Sequence, residues 1–394
     1  MKVLVINSGS SSIKYQLLNL PEAEVLCSGL VERIGLEEGA VHYHTEDHDL
    51  SLKMPIPNHQ VGLEKIATLL LDTKQGVIRS TDEIQAVGHR VVHGGSAFTQ
   101  TTLITDAVKE AIRSLFDLAP LHNPPNLLGI EVAEKVFAKA RQVAVFDTAF
   151  HQSIPELAHR YAIPDHFYQK EHIRVYGFHG TSHQYVSKKA MVFLKKKDLK
   201  MVSIHLGNGC SMTAIHNGKS VDHSLGFGPM NGLIMGTRSG DIDQSVVLYL
   251  IEKLGYTPQE VTQLLQKKSG MLGLTGMSDL RDIEAAATRG DTMAKLALAM
   301  NVYRIKKYIG AYSAAMNGLD AVVFTAGIGE NSDFIRESVC SDMEFLGIRI
   351  DANKNKERSK KIRDLAQPDS HVKILVIPTN EELEIAEQTY ALLR

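Results

Sequence analysis

Short apolar runs that end in turns of small polar residues recur along the chain. In the first, the apolar run 3–6 meets the turn 7–12, and apolar and polar residues then alternate over 13–17. An uninterrupted apolar run indicates a buried strand, and strict alternation indicates a strand with one buried face. The pattern predicts a β-hairpin whose Ser/Gly turn could hold an anion with its backbone N–H groups and hydroxyls. An ordinary hairpin turn has the same features, so this turn alone leaves both interpretations open.

The same pattern occurs a second time. At 201–216 an apolar run ends at the turn 207–211 and an alternating run follows. Two such hairpins half a chain apart indicate a duplicated scaffold. A third apolar run, 321–324, ends in the glycine-bearing segment 325–331, which is predicted as a loop that opens a helix. Three glycine-bearing turns at strand ends point to a phosphate-rich ligand.

Elsewhere the pattern alternates strands with helices, which predicts an α/β fold. Further strands are predicted at 25–33, 84–92, 142–146 and 373–377. Helices are predicted at 62–72, 106–118, 126–138, 180–197, 258–267, 283–288, 292–316 and from 379 to the C terminus.

Individual residues refine these assignments. Asp106 is the predicted N-cap of the second helix, and Asn126 is that of the third. The segment 119–126 contains three prolines, which argue against regular structure there. The segment 269–281 is predicted as a loop, and the weakly periodic stretch 153–172 as a hinge or domain border.

Composition narrows the functional class. The chain has 394 residues, of which 44% are hydrophobic and 22% charged, with a formal net charge of −2. These values are typical of a globular protein of two or three domains and give no sign of a nucleic-acid-binding surface. Cys27, Cys210 and Cys340 form no CxxC pair, which argues against a disulfide framework or zinc site. With no apolar run near the roughly 20 residues of a membrane span, we expect a cytoplasmic protein without membrane partners.

Several charged residues lie where chemistry is common. Arg90 interrupts an apolar run and needs an anionic partner, either structural or a substrate. Asp147 follows a buried strand, which is a frequent position for both catalytic residues and helix caps. His179 precedes a helix N terminus, whereas His183 lies one turn later and is predicted to be structural. Arg238 lies on a glycine-rich loop, from which its planar guanidinium could reach a phosphoryl group.

Ten motifs in one order resemble those of the acetokinase family, of the superfamily that includes actin, hexokinase and a heat-shock ATPase. They are NSGSSSIKY at Asn7, GHRVVHGG at Gly88, HNPPN at His122, FDTAFH at Phe146, YGFHGTSH at Tyr176, HLGNG at His205, MGTRSGDID at Met235, DLR at Asp279, GIGEN at Gly327 and PTNEE at Pro378. The resemblance implies two ribonuclease-H-like α/β domains related by duplication, with the active site in the cleft between them. We expect residues 1–150 plus 380–394 on the substrate and Mg²⁺ side, and 151–379 on the nucleotide side.

The resemblance implies reversible, direct in-line transfer of the ATP γ-phosphoryl group to acetate, in a protein that is typically a homodimer. It assigns catalysis to Arg90, Asp147, His179 and Arg238, and Mg²⁺ or Mn²⁺ binding to Asn7 and Glu381. It assigns acetate binding to Arg90, Val92, Leu121, His122, Phe178 and Pro229. It assigns nucleotide binding to Lys14, His205, Leu206, Gly207, Asn208, Gly209, Asp279, Leu280, Arg281, Gly327, Ile328, Gly329, Glu330 and Asn331.

One family role conflicts with elementary chemistry. The family position of Asp147 is assigned to proton transfer, but a carboxylic acid with a pKa near about 4–5 is already ionised at neutral pH. Acetate therefore needs no general base, and we expect Asp147 to orient Arg238 or a metal-bound water instead.

The motif match is incomplete near the substrate loop. Gly228 and Asn231 stand where the family usually has Thr and Glu, and Gln244 replaces the usual proline after GDID. Acyl-chain preference is therefore open, and a kinase of the same family acting on propionate is the nearest alternative, since one methylene changes binding by only about 1–3 kcal/mol. A sugar kinase and a non-catalytic, actin-like ATP-binding assembly protein are the more distant alternatives.

Overall fold

The computed structural model describes residues 1–394 and divides them into two compact units. The first unit comprises Met1–Phe150 together with Asn380–Arg394, and the second comprises His151–Thr379. None of the helices combines the length and the apolar character that crossing a bilayer requires.

Both units contain strands and helices. The strands are β1 Lys2–Ser8, β2 Ser12–Asn19, β3 Glu24–Glu32, β4 Gly39–His44, β5 Asp49–Met54, β6 Ile84–Val91, β7 Thr102–Leu103, β8 Arg141–Phe146, β9 Lys200–Leu206, β10 Cys210–His216, β11 Lys219–His223, β12 Ala321–Thr325, β13 Arg363–Asp364 and β14 Lys373–Val376. The helices are α1 His59–Leu70, α2 Asp106–Ser114, α3 Asn123–Val136, α4 Glu156–His159, α5 Asp165–Gln169, α6 Gly180–Leu194, α7 Gln244–Glu252, α8 Pro258–Lys267, α9 Gly270–Thr275, α10 Leu280–Thr288, α11 Thr292–Ala315, α12 Ala326–Asn331, α13 Asp333–Cys340, α14 Ala352–Lys356 and α15 Glu381–Leu393.

Each unit is built on one mixed sheet, and the two sheets share a strand order. The first runs β5-β4-β3-β2-β1-β6-β8-β7 and the second β11-β10-β9-β12-β14-β13. In both, three antiparallel strands join two parallel strands, and a two-residue antiparallel strand closes the far edge. The strands β4 and β5 extend only the first sheet. The repeated order confirms the prediction of an α/β fold made of two duplicated domains.

The first strand is apolar from Val3 to Ile6 because both of its faces are covered there. Leu4 and Ile6 belong to an apolar cluster that also takes in residues of α1 and α3. Val3 and Val5 point to the other face, where they pack with Ile385 of α15. Strands buried on both faces read as continuous hydrophobic runs rather than as alternating ones.

The C-terminal helix α15 packs directly against the first sheet. On β6, a Cβ at Gly88 would lie 2.6 Å from the Thr389 hydroxyl and 2.9 Å from Ile385. Only glycine leaves room for the helix at this distance. This contact explains why residues at the end of the chain belong to the first unit, and it brings the start of α15 to the end of β6.

Three assignments made from sequence are wrong at helix starts: the Asp106 cap of α2, the Asn126 cap of α3 and the irregular structure of the proline-rich segment. The side chain of Thr105, not that of Asp106, caps α2 by accepting from the Val108 N–H. The proline-rich segment is not irregular, because α3 already begins at Asn123 and the two following prolines occupy its first turn. Proline is tolerated there because the first N–H groups of a helix have no intrahelical partner.

Two segments predicted as loops contain short helices. The helix α9 lies within 269–281, and α12 occupies the third glycine-bearing segment, 326–331. Both are six residues long, too short to give a periodic pattern. Gln244, one of the departures from the family pattern, is the first residue of α7, which Asp243 caps. Proline is favoured at this position of a helix, so its replacement by glutamine leaves the helix start intact.

Candidate active site

In the first unit, an arginine and two carboxylates meet at the end of the sheet. Arg90 is the penultimate residue of β6, and Asp147 directly follows the neighbouring parallel strand β8. The Nε and Nη2 atoms of Arg90 donate to Asp147 Oδ2 over 3.0 and 2.5 Å. Oε2 of Glu381, the first residue of α15, lies 3.9 Å from Arg90 Nε. Within this unit Asp147 therefore orients Arg90, a pairing that the sequence did not predict.

Burial and charge shift the pKa values of this group. Burial works against the charged form of Arg90, but the carboxylates of Asp147 and Glu381 outweigh it and raise the pKa of the guanidinium. Burial raises the pKa of the Glu381 carboxyl; the Arg90 charge opposes this rise, and the Asp147 charge adds to it. Arg90 thus stays charged at any working pH.

A second ion pair lies beside the first. Lys14 Nζ is 2.6 Å from Glu382 Oε1, and the Lys14 side chain is 58% exposed. Asn7 is the strand partner of Lys14, so both side chains leave the sheet on one face. The carboxylates of Asp147, Glu381 and Glu382 and the cations of Arg90 and Lys14 have a formal net charge of −1. No three His, Cys, Asp or Glu side chains are grouped to hold a metal ion by themselves.

This donor set fits Mg²⁺. Magnesium keeps several waters and takes one or two protein oxygens together with substrate phosphates. Asn7 and Glu381 offer such oxygens without forming a closed cage.

The HNPPN segment holds the strand ends through two asparagines. The Asn126 side chain accepts from the Val92 N–H over 3.0 Å and donates to the Ser8 carbonyl over 2.7 Å. The Asn123 side chain bonds both backbone groups of His93. Sequence reasoning assigned Asn126 to helix capping and missed Asn123. Their buried amides instead fix the backbone on either side of the candidate site.

The residues predicted for acetate binding differ in exposure. Val92 is buried, His122 is the half-buried residue before α3, and Leu121 is 54% exposed. In the second unit, Phe178 is buried and Pro229 is half-buried. An exposed leucine is the weakest candidate of this set within its own unit.

His179 adopts an unusual backbone conformation at the start of α6. Its φ of 56° lies in the left-handed region, which costs a non-glycine residue about 1–3 kcal/mol. Its Nδ1 lies 2.8 Å from the Ser211 hydroxyl, and its ring stacks on His205 with 4.4 Å between centroids. A Cβ at Gly209 would lie 3.4 Å from His179 Nε2. The second hairpin therefore holds the imidazole in place.

His183 extends the hydrogen bonds around Ser211 into the interior of the unit. Its Nε2 shares the Ser211 hydroxyl with His179, and its Nδ1 lies 2.9 Å from the Ser203 hydroxyl. Burial holds the pKa of the His183 imidazole well below its usual value, and neighbouring histidines lower it further. The structure thus places His183 as a neutral, buried support for Ser211 and, through it, for His179.

Two histidines that sequence reasoning missed hold the peptide groups of Phe178. The Phe178 N–H donates to His223 Nε2 over 3.1 Å, so that nitrogen carries no proton. The Phe178 carbonyl lies 3.0 Å from His151 Nε2, which must therefore be the donor. Thr213 and Ser220 bond the remaining ring nitrogens. Both backbone polar groups of Phe178, the residue before His179, are therefore held in place. Of the two histidines, only His151 lies in one of the ten motifs, FDTAFH.

Arg238 lies on a loop that α9 supports. Its Nη1 donates to the Pro229 carbonyl over 2.9 Å, and no acidic side chain pairs with it within the second unit. Burial lowers the pKa of its guanidinium. The loop must pass close to Gly270, whose φ is +62° and where a Cβ would lie 2.2 Å from the Met235 carbonyl. A partly buried cation without an anion is a strong candidate for binding an anionic ligand.

A cavity of about 720 Å³ opens beside the second hairpin. Among the residues predicted for nucleotide binding, eight line it: Gly207, Asn208, Asp279, Leu280, Arg281, Gly327, Ile328 and Asn331. Five others that belong to the second unit do not line it. His205 stacks on His179, Leu206 and Gly209 belong to the hairpin, and Gly329 is buried. Glu330 accepts from the Thr379 N–H instead.

Glycines and a strained alanine shape this cavity. The Gly236 N–H donates to the Asn208 carbonyl over 3.2 Å, and a Cβ at Gly236 would lie 2.4 Å from Asn208 Oδ1 and displace that amide. Ala326 begins α12 with a φ of 63°. Arg336 is fully buried and donates to the Gly329 carbonyl, which holds the C-terminal half of α12 in place. Sequence reasoning missed Arg336, because no pattern in the residues next to it along the chain indicates that it is buried.

Comparison with known proteins decides the family. The family model described as the acetokinase family matches residues 2–387. The chain belongs to the acetokinase family. Acetokinase relatives include the acetate kinase of Flavobacterium johnsoniae, 61% identical over 393 residues and covering 100% of both chains. That of Thermotoga maritima is 53% identical and covers 99% of this chain and 98% of the relative.

Solved structures of this family have the same fold as the chain. The acetate kinase of Porphyromonas gingivalis superposes with a TM-score of 0.95 at 46% identity, covering 100% of both chains. A propionate kinase from Francisella tularensis gives a TM-score of 0.93 at 41% identity and covers 99% of each. The resemblance inferred from the ten motifs is confirmed.

Proposed function

We propose that the protein transfers the γ-phosphoryl group of ATP reversibly to acetate, giving acetyl phosphate and ADP. The single observation that carries this proposal is the identity of 61% to an acetate kinase over the full chain. The ion pair of Arg90 with Asp147 and the unpaired Arg238 support it, because the reaction must bring two anions together.

Arg90 binds the carboxylate of acetate. Two of its nitrogens are committed to Asp147, which leaves Nη1 and a fixed guanidinium plane for a substrate carboxylate. Asp147 acts as a positioning residue and not as a general base, since acetate is already ionised at neutral pH. Within the same unit, buried Val92 follows Arg90 by two residues and receives the apolar group of acetate.

The second unit binds the nucleotide and stabilises the transferred group. The cavity beside Gly207 and Asn208 takes ATP, and backbone N–H groups of the hairpin turn contact its phosphates. His179 and Arg238 donate to the oxygens of the phosphoryl group as charge spreads over them in an in-line transfer. Asn7 and Glu381 would supply oxygen ligands for Mg²⁺, which would neutralise phosphate charge when bound.

We further infer a cytoplasmic homodimer. Its three cysteines are free and buried, which suits a reducing compartment. The helix α7 buries none of its nine residues, although several of them are apolar. Val246, Leu248 and Tyr249 are 42, 55 and 57% exposed. Such an apolar helix surface favours self-association. A monomeric mass by light scattering at micromolar concentration would contradict the dimer.

A hydroxamate assay tests the reaction. Purified protein with Mg-ATP and hydroxylamine should trap an acyl phosphate from acetate, more efficiently than from propionate or butyrate by kcat/KM. A preference for propionate would favour the activity named for the Francisella tularensis structure. Absence of acyl phosphate from every short carboxylate, with ATP turnover stimulated by a hexose, would replace the proposal by a sugar kinase.

A further inference from the structure

The loop that carries Arg238 is closed at its base by an aspartate that the proposed reaction does not use. Gly232 and Asp241 lie at the two ends of the loop 232–241. The Asp241 N–H donates to the Gly232 carbonyl over 3.0 Å, and Asp241 Oδ1 accepts from the Gly232 N–H over 2.7 Å. One residue thus bonds both backbone polar groups at the opposite end of the loop. A loop whose ends are joined in this way forms a compact unit.

Two side chains of α11 hold this closure from outside the loop. The Tyr308 hydroxyl donates to Asp241 Oδ2 over 2.8 Å. Arg304 Nη1 donates to the Gly232 carbonyl over 2.8 Å and lies 3.5 Å from Asp241 Oδ2. One oxygen of the Asp241 carboxylate therefore bonds the loop, and the other bonds the helix. The base of the loop is anchored on the longest helix of its unit.

Inside the closed loop, the backbone of Arg238 is bonded as well. The Met235 N–H donates to the Arg238 carbonyl over 3.1 Å. At Gly240, whose φ is +69°, a Cβ would lie 2.4 Å from the Leu233 carbonyl, so the two arms of the loop are in direct contact. The direction of the Arg238 side chain therefore depends on how the ends of the loop are joined.

The carboxylate of Asp241 closes the loop without neutralising Arg238. Asp241 is the acidic residue closest to Arg238 along the chain, yet the Arg238 guanidinium donates to the Pro229 carbonyl instead. Tyr308 and the loop backbone occupy the two Asp241 oxygens. An acid paired with Arg238 would reduce the charge that can stabilise a phosphoryl group. The arrangement fixes the loop and leaves that charge available.

We infer that Asp241 is a positioning residue for Arg238, which it holds by closing the loop 232–241. Tyr308 and Arg304 in turn hold Asp241 against α11. This inference rests on the proposed function, which assigns Arg238 to the transferred phosphoryl group. A donor displaced by a small distance loses much of its effect on the transition state, whereas substrate binding depends on other contacts.

Asp243 offers a matched control on the same segment. It is exposed like Asp241, but its side chain caps α7 by accepting from the Ser245 N–H. Asp241→Ala and Asp243→Ala each remove one exposed carboxylate and its hydrogen bonds, and only the first opens the loop. Both variants should lose some stability, but only Asp241→Ala should lose rate.

Steady-state kinetics and a double-mutant cycle separate positioning from a general loss of structure. Asp241→Ala should lower kcat about tenfold to a hundredfold and leave the KM values for ATP and acetate nearly unchanged. Asp241→Asn should recover most of the rate, because the amide oxygen still accepts from the Gly232 N–H. In an Arg238→Ala background, Asp241→Ala should lower kcat by less than about twofold, because the residue that it positions is absent. Asp243→Ala should match the kcat of wild type.

Hydrogen exchange followed by NMR tests the same closure without phosphoryl transfer. The Gly232 amide donates to Asp241 Oδ1, and the Met235 amide donates to the Arg238 carbonyl. Asp241→Ala should speed the exchange of both amides about tenfold, and the Asp243 variant should change neither. If Asp241→Ala fails to fold, Tyr308→Phe removes only the bond to Oδ2 and should show both effects at a smaller size.

The inference is overturned if Asp241→Ala leaves kcat or the two exchange rates at their wild-type values. The bonds of Thr237 and Ser239 with residues 265–269 would then be sufficient to hold Arg238. It is also overturned if Asp241→Ala lowers kcat by the same factor with and without Arg238. Failure of the proposed function is a separate result: no acyl phosphate would form in the hydroxamate assay, while both amides would still exchange faster in Asp241→Ala.

Discussion

Arg90 in the first unit and Arg238 in the second are both partly buried, but the charges around them differ. Arg90 is held by Asp147 and lies near Glu381, so its charge is balanced before any ligand binds. Arg238 bonds the Pro229 carbonyl and the Met235 sulfur, which are both neutral, and no acid pairs with it in its unit. The guanidinium of a paired arginine has a fixed orientation, so its remaining N–H groups bind a ligand in one geometry. An unpaired arginine is destabilised until an anion binds. The energy of binding that anion can therefore stabilise the transferred phosphoryl group.

The largest effect is expected at Arg238. Replacing it by alanine removes the uncompensated charge, and kcat should fall by about 10²–10³, the loss typical of removing one donor to developing charge. Steady-state kinetics with acetate and ATP measure it, and added guanidine should restore part of the activity. Arg349→Ala is the control, because that side chain is exposed, is paired with Asp369 and does not line the nucleotide cavity. A loss below tenfold in Arg238→Ala would remove the distinction between the two arginines.

A smaller effect is expected when the paired arginine loses its partner. Asp147→Asn keeps the shape but removes the charge that orients Arg90, so the KM for acetate should rise and kcat should fall about tenfold to a hundredfold. The defect should persist with a more acidic short carboxylate, because the role is orientation. Full recovery with the more acidic substrate would show that Asp147 acts as a base. Glu382→Gln, which disturbs the neighbouring Lys14 pair, serves as the control.

Next to Arg90 on β6, His89 is buried, and its Nε2 lies 2.8 Å from a neutral partner, Gln142 Oε1. Burial lowers the pKa of the His89 imidazole from 6.5 to about 4. Between these pH values the unfolded chain binds the extra proton and the folded chain does not, so stability falls as pH drops. The loss is about 1.4 kcal/mol per pH unit. Chemical denaturation from pH 7 to 4 should show a smaller slope in His89→Gln, whereas His44→Gln, at an exposed position, should match wild type.

The smallest effect is expected at Lys14. Its side chain is 58% exposed, so its attraction for phosphate is screened by solvent and salt. Lys14→Ala should raise the KM for ATP only several-fold, and the difference from wild type should shrink as salt increases. A loss as large as that of Arg238→Ala, or one that salt does not change, would place Lys14 among the buried charges instead.

The sequence was sufficient for the scaffold because its signals are local. The hairpins around 7–12 and 207–211 follow from apolar runs that end in small polar residues. Helix starts were less predictable: Thr105 and Asp106 are both good caps, and only backbone geometry selects between them. The two six-residue helices α9 and α12 are set by tertiary contacts and not by periodicity.

The candidate site was predictable where a motif carries the chemistry and not where a distant partner does. Arg90 and Arg238 could be singled out because each charge interrupts an apolar or glycine-rich run. The pairing of Arg90 with Asp147, 57 residues later, depends on the order of parallel strands. His223 and Arg336 support the site through backbone groups, which leave no trace in sequence spacing.

The most direct test of the account is phosphorus NMR of the reverse reaction. Purified protein given acetyl phosphate, ADP and Mg²⁺ should convert the acyl phosphate signal into the γ-phosphoryl signal of ATP, and Arg238→Ala should slow this conversion at least a hundredfold. Hydrolysis of acetyl phosphate to free phosphate without ATP, or equal rates in both proteins, would contradict the account.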